Sequence, residues 1–158
     1  MLLFDRKTDY PNLVEPLGCP NKTRPNSTLI LFGIKSTPDR NKIRDAIRNT
    51  WLNRKSWEFN PEIEIHFIFL LGRSLDQNAE ISEEGKQFGD ILQTDFAESH
   101  YNLSIKDVDF FNYIGEKCPQ VDYVVKGDDD IMIVPHNLAY IIQGLEETKV
   151  GKIFFNYN

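Results

Sequence analysis

Runs of apolar residues separate polar segments along the whole chain, and their lengths predict strands alternating with helices. Residues 28–34 (TLILFGI) and 63–71 (IEIHFIFLL) are apolar almost throughout, which is typical of strands buried on both faces of a parallel sheet. Residues 90–96 predict a short strand and turn, and residues 152–157 begin a further strand. Residues 121–134 (VDYVVKGDDDIMIV) predict a strand of β-branched and aromatic residues interrupted by three carboxylates.

Helices are predicted between these strands, at residues 40–53, 75–88, 102–117 and 135–147. The first helix has an apolar stripe at a spacing of three to four residues, formed by Ile43, Ala46, Ile47, Thr50 and Trp51. The third helix has an equivalent stripe, formed by Ile105, Val108, Phe111 and Ile114. Arg44 and Arg48 stand four residues apart on another face of the first helix, where spacing alone favours a solvated surface.

This alternation predicts the α/β fold class, with a layered, mostly parallel sheet flanked by helices on both faces. Residues 28–158 are expected to form that domain. Residues 1–27 are rich in proline, asparagine and charge, which forbids a long helix and predicts a stem or an arm lying on the domain. Because the sequence ends on the strand at residues 152–157, the domain is expected to be incomplete on its C-terminal side.

Composition restricts the class of protein. The chain has 158 residues, of which 41% are hydrophobic and 27% charged, as expected of one globular domain. A net charge of −6 argues against a general binder of nucleic acids or anionic membranes. No apolar run approaches the roughly 20 residues of a membrane span, and residues 1–10 lack the features of a signal peptide.

Two cysteines and three glycosylation triplets bear on the cellular compartment. Cys19 and Cys118 are able to pair with each other, to pair with cysteines outside this chain, or to stay as buried thiols. Acceptor triplets for N-glycosylation begin at Asn21, Asn26 and Asn102. Two of them in one short segment favour a secretory compartment.

The candidate functional residues of the chain are Asp128, Asp129 and Asp130. Three adjacent carboxylates repel one another and cannot all be buried unpaired, so a hard divalent cation would stabilise them. On an extended backbone Asp128 and Asp130 project to the same side, where they are able to grip one ion together. The alternative is a solvated acidic turn. The apolar residues 131–134 directly after the aspartates favour a ligand site at the edge of a sheet over that alternative.

Four sequence blocks occur in the order found in one enzyme family. They are IKSTPDR at 34–40, RDAIRNTW at 44–51, GDILQTDF at 89–96 followed by YNLSIK at 101–106, and YVVKGDDD at 123–130. In these blocks the chain resembles the β-1,3-galactosyltransferase family of glycosyltransferases, which includes β-1,3-N-acetylglucosaminyltransferases and fringe-like enzymes. The resemblance covers about residues 29–142 and implies the A-type fold of the nucleotide-diphospho-sugar transferases.

The resemblance also implies roles for the acidic cluster. In such enzymes a divalent ion, usually Mn²⁺, bridges an Asp-x-Asp motif and the diphosphate of a UDP-sugar, where it neutralises charge on the leaving group. Carried over to this sequence, Asp130 is the direct metal ligand and Asp128 supports it. Asp129 is expected near the ribose.

Further residues carried over from the family belong to the nucleotide side of the site. Arg44 is expected at the edge of the nucleotide pocket, and Arg48 is expected to hold its helix against the sheet. Asp95 and Lys106 are expected to line the nucleotide side. The chain departs from the family pattern at His100, where tyrosine is common.

The implied function is metal-dependent, inverting transfer of galactose or N-acetylglucosamine from a UDP-sugar to a glycan acceptor in β-1,3 linkage, in the Golgi lumen. The expected full-length form is a type II membrane protein whose anchor lies outside this chain. The catalytic base is expected in a second acidic motif beyond Asn158. Two alternatives stay open: a catalytically inactive fragment that binds UDP and metal, and an aspartyl-phosphate phosphohydrolase. The second conflicts with residues 28–34, which lack the aspartate that such an enzyme carries on its first strand.

Overall fold

The computed structural model describes residues 10–147 and 154–157 of the chain. The described strands are β1 Asn12–Val14, β2 Thr28–Lys35, β3 Ile63–Arg73, β4 Ile91–Ala97, β5 Tyr123–Asp128 and β6 Phe154–Tyr157. The described helices are α1 Asn41–Asn49, α2 Asn78–Phe88, α3 Leu103–Lys117 and α4 Pro135–Glu147, with short 3₁₀ turns at Arg54–Trp57 and His100–Asn102. Strands and helices alternate from β2 onward, as the sequence pattern predicts.

The strands form one sheet in the order β1-β4-β3-β2-β5-β6. β2 to β6 run parallel to one another, and β1 runs antiparallel to β4. The predicted α/β class with a mostly parallel sheet is therefore confirmed. The chain proceeds from β2 to one side through β3 and β4, and then returns to the other side at β5. This reversal places a topological switch point between β2 and β5, where open α/β sheets bind their ligands.

Both faces of β2 are covered, as its continuous apolar run predicts. On one face, Ile30 and Phe32 belong to a core shared with α1, α2 and α4. On the other face, Leu29 and Leu31 pack with residues of α3. The sheet is thus the middle layer of three. Helices cover its two faces, and the ends of its strands are left for side chains that form a site.

The first predicted helix is shorter than the sequence pattern suggested, because α1 ends at Asn49 rather than at residue 53. Its predicted apolar stripe is also wrong in part, since Ile43 is 37% exposed. The interpretation of the two arginines as solvated is wrong, because Arg44 is 0% and Arg48 is 9% exposed.

Carboxylates from distant parts of the chain explain this burial. Glu84 on α2 accepts hydrogen bonds from Arg44 Nε at 2.8 Å, Arg44 Nη2 at 2.6 Å and Arg48 Nη2 at 2.8 Å. Arg48 also donates from Nε and Nη2 to the two oxygens of Asp90, each at 2.8 Å. A buried guanidinium is stable only when its charge and donors are matched in this way. The network therefore fastens α1 to α2 and to the start of β4, and Arg48 does hold its helix against the sheet.

The buried face of α3 differs by one position from the predicted stripe. Its buried residues are Lys106, Asp109, Phe110 and Tyr113, whereas Phe111 is 39% exposed. The cause lies on β2, where a Cβ added at Gly33 would be 2.2 Å from Phe110 Cε1. The absence of a side chain at Gly33 lets the Phe110 ring lie against the sheet, and this fixes the rotation of the helix.

The described part of residues 1–27 lies against the domain. β1 pairs with β4, and the backbone N–H of Leu17 donates to the carbonyl of Gly89 at 3.0 Å. The sequence predicted an arm here but not an edge strand, since only three residues flanked by prolines form it. Residues 1–9 lie outside the described ones, and the division at residue 27 stays a prediction.

The strand predicted across residues 121–134 is shorter, because β5 ends at Asp128 and the next two residues form a turn. β6 confirms residues 154–157 of the strand predicted at 152–157. Residues 152 and 153 of that prediction lie outside the described residues. Within residues 10–147 and 154–157, every helix is too short or too polar to cross a membrane.

The two cysteines meet, although they are far apart in the sequence. Cys19 packs against the core cluster that contains Cys118, and both are free thiols. The neighbouring Cys118 thiol lowers the pKa of Cys19. Gln120 Nε2 donates to the carbonyls of Cys19 at 3.3 Å and Pro20 at 3.0 Å, which holds the N-terminal arm beside the start of β5.

Candidate functional site

The three aspartates lie at the carboxyl edge of the sheet, at the switch point between β2 and β5. In the parallel pairing of these strands Asp128 lies opposite Lys35. The backbone N–H of Asp129 continues the ladder by donating to the carbonyl of Lys35 at 3.0 Å. The acidic turn, residues 128–130, is therefore attached to the end of β2 through its backbone.

Asp129 faces the interior. It is 5% exposed, and its Oδ2 accepts a hydrogen bond from Ser36 Oγ at 2.7 Å. Its Oδ1 pairs with Arg40 Nη1 at 3.1 Å. Burial raises the pKa of Asp129 above its ordinary value, and the hydrogen bond from Ser36 and the charge of Arg40 offset only part of that shift.

Asp128 and Asp130 are more accessible than the residue between them. The side chain of Asp128 is 41% exposed, and its Oδ1 lies 3.3 Å from Lys35 Nζ. That oxygen is itself buried, and its contact with Lys35 is an ion pair without hydrogen-bond geometry. Asp130 is exposed and belongs to the turn, so the premise that Asp128 and Asp130 share one extended strand is wrong. In the described part of the chain, no three His, Cys, Asp or Glu side chains are already arranged around a metal position.

Lys106 reaches the same edge from α3 but is buried beneath it. Its Nζ donates to the carbonyl of Ser36 at 2.6 Å and pairs with Glu98 Oε1 at 2.8 Å. Burial lowers the pKa of Lys106, and the neighbouring Glu98 carboxylate offsets only part of that shift. Glu98 in turn accepts a hydrogen bond from the backbone N–H of Gly72 at 2.7 Å. Lys106 therefore joins the carboxyl ends of β2, β3 and β4.

Arg44 lies behind the acidic turn. Besides Glu84, it contacts Ser36 Oγ at 3.1 Å, the carbonyl of Thr37 at 2.6 Å and the carbonyl of Pro38 at 3.3 Å. These bonds brace the loop between β2 and α1. Arg44 reaches the acidic cluster through Ser36 and has no open surface of its own.

Asp95 stands apart from these residues. It lies on β4, and β3 and β2 separate that strand from β5. Its Oδ1 pairs with Arg73 Nε at 3.2 Å on a half-exposed part of the surface. The structure brings Lys106 and Arg44 to the acidic turn but does not bring Asp95 there.

Sequence reasoning missed Ser36, Arg40 and Glu98. A usable signal existed, because Ser36 and Glu98 each stand two residues after the end of a predicted strand, at residues 34 and 96. The carboxyl ends of parallel strands meet at one edge, so polar residues at those positions are site candidates.

The sequence of the chain is similar to that of known enzymes. The galactosyltransferase family profile matches residues 42–155, a span that includes all of α1 but its first residue, the strands β3 to β5 and the acidic turn. The chain is 33% identical over 141 residues to human N-acetyllactosaminide beta-1,3-N-acetylglucosaminyltransferase 4, covering 89% of this chain and 36% of that protein. It is 35% identical over 148 residues to human beta-1,3-galactosyltransferase 2, covering 89% of this chain and 34% of that protein.

A third relative is lactosylceramide 1,3-N-acetyl-beta-D-glucosaminyltransferase A of Xenopus laevis, 31% identical over 123 residues, covering 74% of this chain and 33% of that protein. The chain thus spans about a third of the length of these relatives. The resemblance in the four ordered sequence blocks is confirmed by a profile match over most of the chain. The fold, the ordered blocks and this match together lead to one conclusion, that the chain belongs to the galactosyltransferase family.

Proposed function

We propose that this chain forms the donor-binding part of a β-1,3-glycosyltransferase. Its donor is a UDP-sugar carrying galactose or N-acetylglucosamine, and its acceptor is the hydroxyl of a glycan. The two sugars and the linkage follow the names of the relatives, which are a β-1,3-galactosyltransferase and β-1,3-N-acetylglucosaminyltransferases. The family match supports transferase chemistry, and the acidic turn supports the place at which the donor binds.

The observation that carries this proposal is the placement of Asp128 and Asp130 at the switch point of the sheet. The Asp128 side chain is 41% exposed and Asp130 is exposed, whereas the Oδ1 atom of Asp128 is buried beside Lys35 Nζ. Oxygen ligands of this kind suit a hard divalent cation such as Mn²⁺, which takes its remaining ligands from water and from the phosphates of a nucleotide. Two protein carboxylates at an open edge fit such a shared coordination shell. A cation held there would neutralise charge on the departing diphosphate.

Two cations stand beside the acidic turn. Lys35 Nζ lies 3.3 Å from Asp128 Oδ1, and the half-exposed Arg40 lies 3.1 Å from Asp129 Oδ1. Their positive charge offsets part of the repulsion among the three carboxylates. Inverting transfer also needs a base for the acceptor hydroxyl, and we assign that role to none of the described residues.

Calorimetric titration of the chain with UDP tests the donor site. The wild type is expected to bind UDP in the presence of Mn²⁺ and to lose binding with a chelator. Asp130→Asn is expected to weaken Mn²⁺-dependent binding more than about tenfold, because it removes a charged ligand. Asp76→Asn is the matched control, since Asp76 is an exposed aspartate on the loop after β3 at the same edge of the sheet. Equal UDP binding by both variants with Mn²⁺ and with chelator would refute the proposed site.

We infer the Golgi lumen as the compartment in which this chemistry takes place, with membrane attachment through an anchor outside this chain. Glycan acceptors are assembled in that compartment, and the acceptor residues Asn21 and Asn26 are both exposed. Glycosidase treatment of the secreted chain is expected to shift its mobility. The shift is expected to be absent when all three acceptor residues, Asn21, Asn26 and Asn102, are changed to glutamine. A chain that carries no glycan after passing through the secretory pathway would count against this compartment.

A further inference from the structure

Ser36 is the first residue after β2, and three charged side chains converge on it. Its hydroxyl oxygen lies 3.1 Å from Arg44 Nη1 and 2.7 Å from Asp129 Oδ2. Its carbonyl oxygen accepts a hydrogen bond from Lys106 Nζ at 2.6 Å. Because Ser36 is 2% exposed, water competes little for any of these contacts.

The direction of the hydrogen bonds follows from the groups involved. A guanidinium has no acceptor, so Arg44 donates and Ser36 Oγ accepts. The single hydroxyl hydrogen of Ser36 is therefore directed to Asp129 Oδ2. Arg40 Nη1 lies 3.1 Å from the other oxygen, Oδ1. Both carboxylate oxygens of Asp129 are thus engaged by groups of the protein itself.

This engagement separates Asp129 from its two neighbours. Asp129 is 5% exposed, whereas the side chain of Asp128 is 41% exposed and Asp130 is also exposed. The inward side chain of Asp129 anchors the middle of the turn. The orientation of the carboxylates of Asp128 and Asp130 therefore depends on the groups that hold Asp129.

We propose that Ser36 is the positioning residue of the acidic turn. It holds Asp129 inward, and so leaves the side chains of Asp128 and Asp130 on the outer side of the turn, where a divalent cation can reach them. Arg44 acts through Ser36 by orienting its hydroxyl, and Lys106 acts through Ser36 by fixing its backbone carbonyl. This inference rests on the proposed function, because that function supplies the cation. It also gives Asp129 a role different from the ribose contact that the family resemblance implies.

Serine substitutions at the two ends of β2 test the inference. Ser36→Ala removes the hydroxyl, and Ser36→Thr keeps it. Ser27→Ala is the matched control, because Ser27 is a serine 3% exposed at the other end of the strand whose hydroxyl also donates to a carboxylate, that of Glu64. Two readouts are needed: hydrogen exchange of the Asp129 backbone amide without metal, and Mn²⁺ affinity measured by electron paramagnetic resonance titration.

Ser36→Ala is expected to accelerate exchange at the Asp129 amide and to weaken Mn²⁺ binding by about 10–100-fold, the range seen when the support of a metal ligand is removed. Ser36→Thr is expected to keep the wild-type exchange rate at the Asp129 amide and the wild-type Mn²⁺ affinity. Ser27→Ala is expected to change neither. If Ser36→Ala does not fold, Ser36→Cys supplies the same comparison, because a thiol keeps the shape but is a weak donor.

Equal behaviour of Ser36→Ala and Ser27→Ala in both readouts would overturn the inference. A folded wild-type chain that binds no Mn²⁺ would instead refute the proposed cation site, and with it the presentation of Asp128 and Asp130 to a metal. In that case the exchange of the Asp129 amide still decides whether Ser36 holds the turn, so the two failures are distinguishable.

Discussion

Glu84→Gln tests the buried ionic network that fastens α1 to α2. Glu84 accepts three hydrogen bonds from Arg44 and Arg48, whose side chains are 0% and 7% exposed. Glutamine keeps one acceptor oxygen, but it removes the negative charge and turns an NH₂ group toward guanidinium donors. The substitution therefore leaves positive charge in the interior with too few partners.

The size of the effect follows from these contacts. Removing one partner of a buried ion pair costs about 3–5 kcal/mol of stability, because the remaining charge is uncompensated. Arg48 keeps its bonds to Asp90, and the Glu84 side chain is 12% exposed, so the loss belongs at the lower end of that range. In a domain of this size a loss of about 3 kcal/mol lowers Tm by about 6–12 °C.

The pH dependence of this contribution has a definite sign. Burial raises the pKa of Glu84, but the hydrogen bonds and charges of Arg44 and Arg48 outweigh burial and leave the pKa below its ordinary value of 4.5. A carboxylate with a depressed pKa in the folded state contributes stability that is present above its unfolded pKa and lost as pH falls through the folded pKa. The difference in stability between wild type and Glu84→Gln is therefore expected to be constant near neutral pH and to narrow below about pH 4.5.

Urea unfolding followed by tryptophan fluorescence measures both effects, since Trp51 and Trp57 are 6% and 2% exposed. Glu83→Gln is the control, because the Glu83 side chain is 74% exposed and pairs with Lys86 on its own helix. Its expected effect is within about 0.5 kcal/mol. Equal free energies of unfolding for the two variants at pH 7 would show that the charge of Glu84 does not stabilise the fold.

Two further predictions concern packing and the cysteines. Gly33→Ala is expected to destabilise the fold by about 1–3 kcal/mol, because its Cβ would overlap the Phe110 ring. Gly115→Ala is expected to stabilise it by up to about 1 kcal/mol, because a Cβ there meets no atom within 4 Å. Urea unfolding measures both changes, and equal changes in the free energy of unfolding would contradict the packing argument. A small-molecule disulfide is expected to oxidise the two thiols of the folded chain and to link Cys19 to Cys118. The intact mass then falls by two hydrogen atoms, and neither cysteine reacts with an alkylating reagent. Continued labelling of both thiols would disprove this pairing.

Local pattern was sufficient to predict the parallel strands. Residues 28–34 and 63–71 are apolar because both of their faces are covered, and β2 and β3 extend those predicted ranges by only one and two residues. The position of the acidic turn after a strand was also predictable from its neighbours. These features depend on residues that are close in the sequence.

Nonlocal pairing explains what the pattern did not predict. Arg44 and Arg48 stand on what spacing marks as a polar face, and only Glu84 and Asp90, about 40 residues later, make that face the buried one. Asp129 is an equivalent case, since the hydroxyl that turns it inward belongs to Ser36, 93 residues earlier. Periodicity reports the polarity of a position and carries no information about a partner that far away.

The edge strand β1 has a consequence for how the isolated chain behaves in solution. Without it, the outer edge of β4 would present unpaired backbone N–H and C=O groups to other molecules, which is a common route to edge-to-edge aggregation. β1 covers that edge with three residues and an irregular register, between Pro11 and Pro16. Short length, a bulge and flanking prolines all limit the addition of a further strand. A recombinant form that begins at Thr28 would lose this protection and is expected to self-associate as its concentration rises, whereas one that retains Tyr10 onward is expected to stay monodisperse.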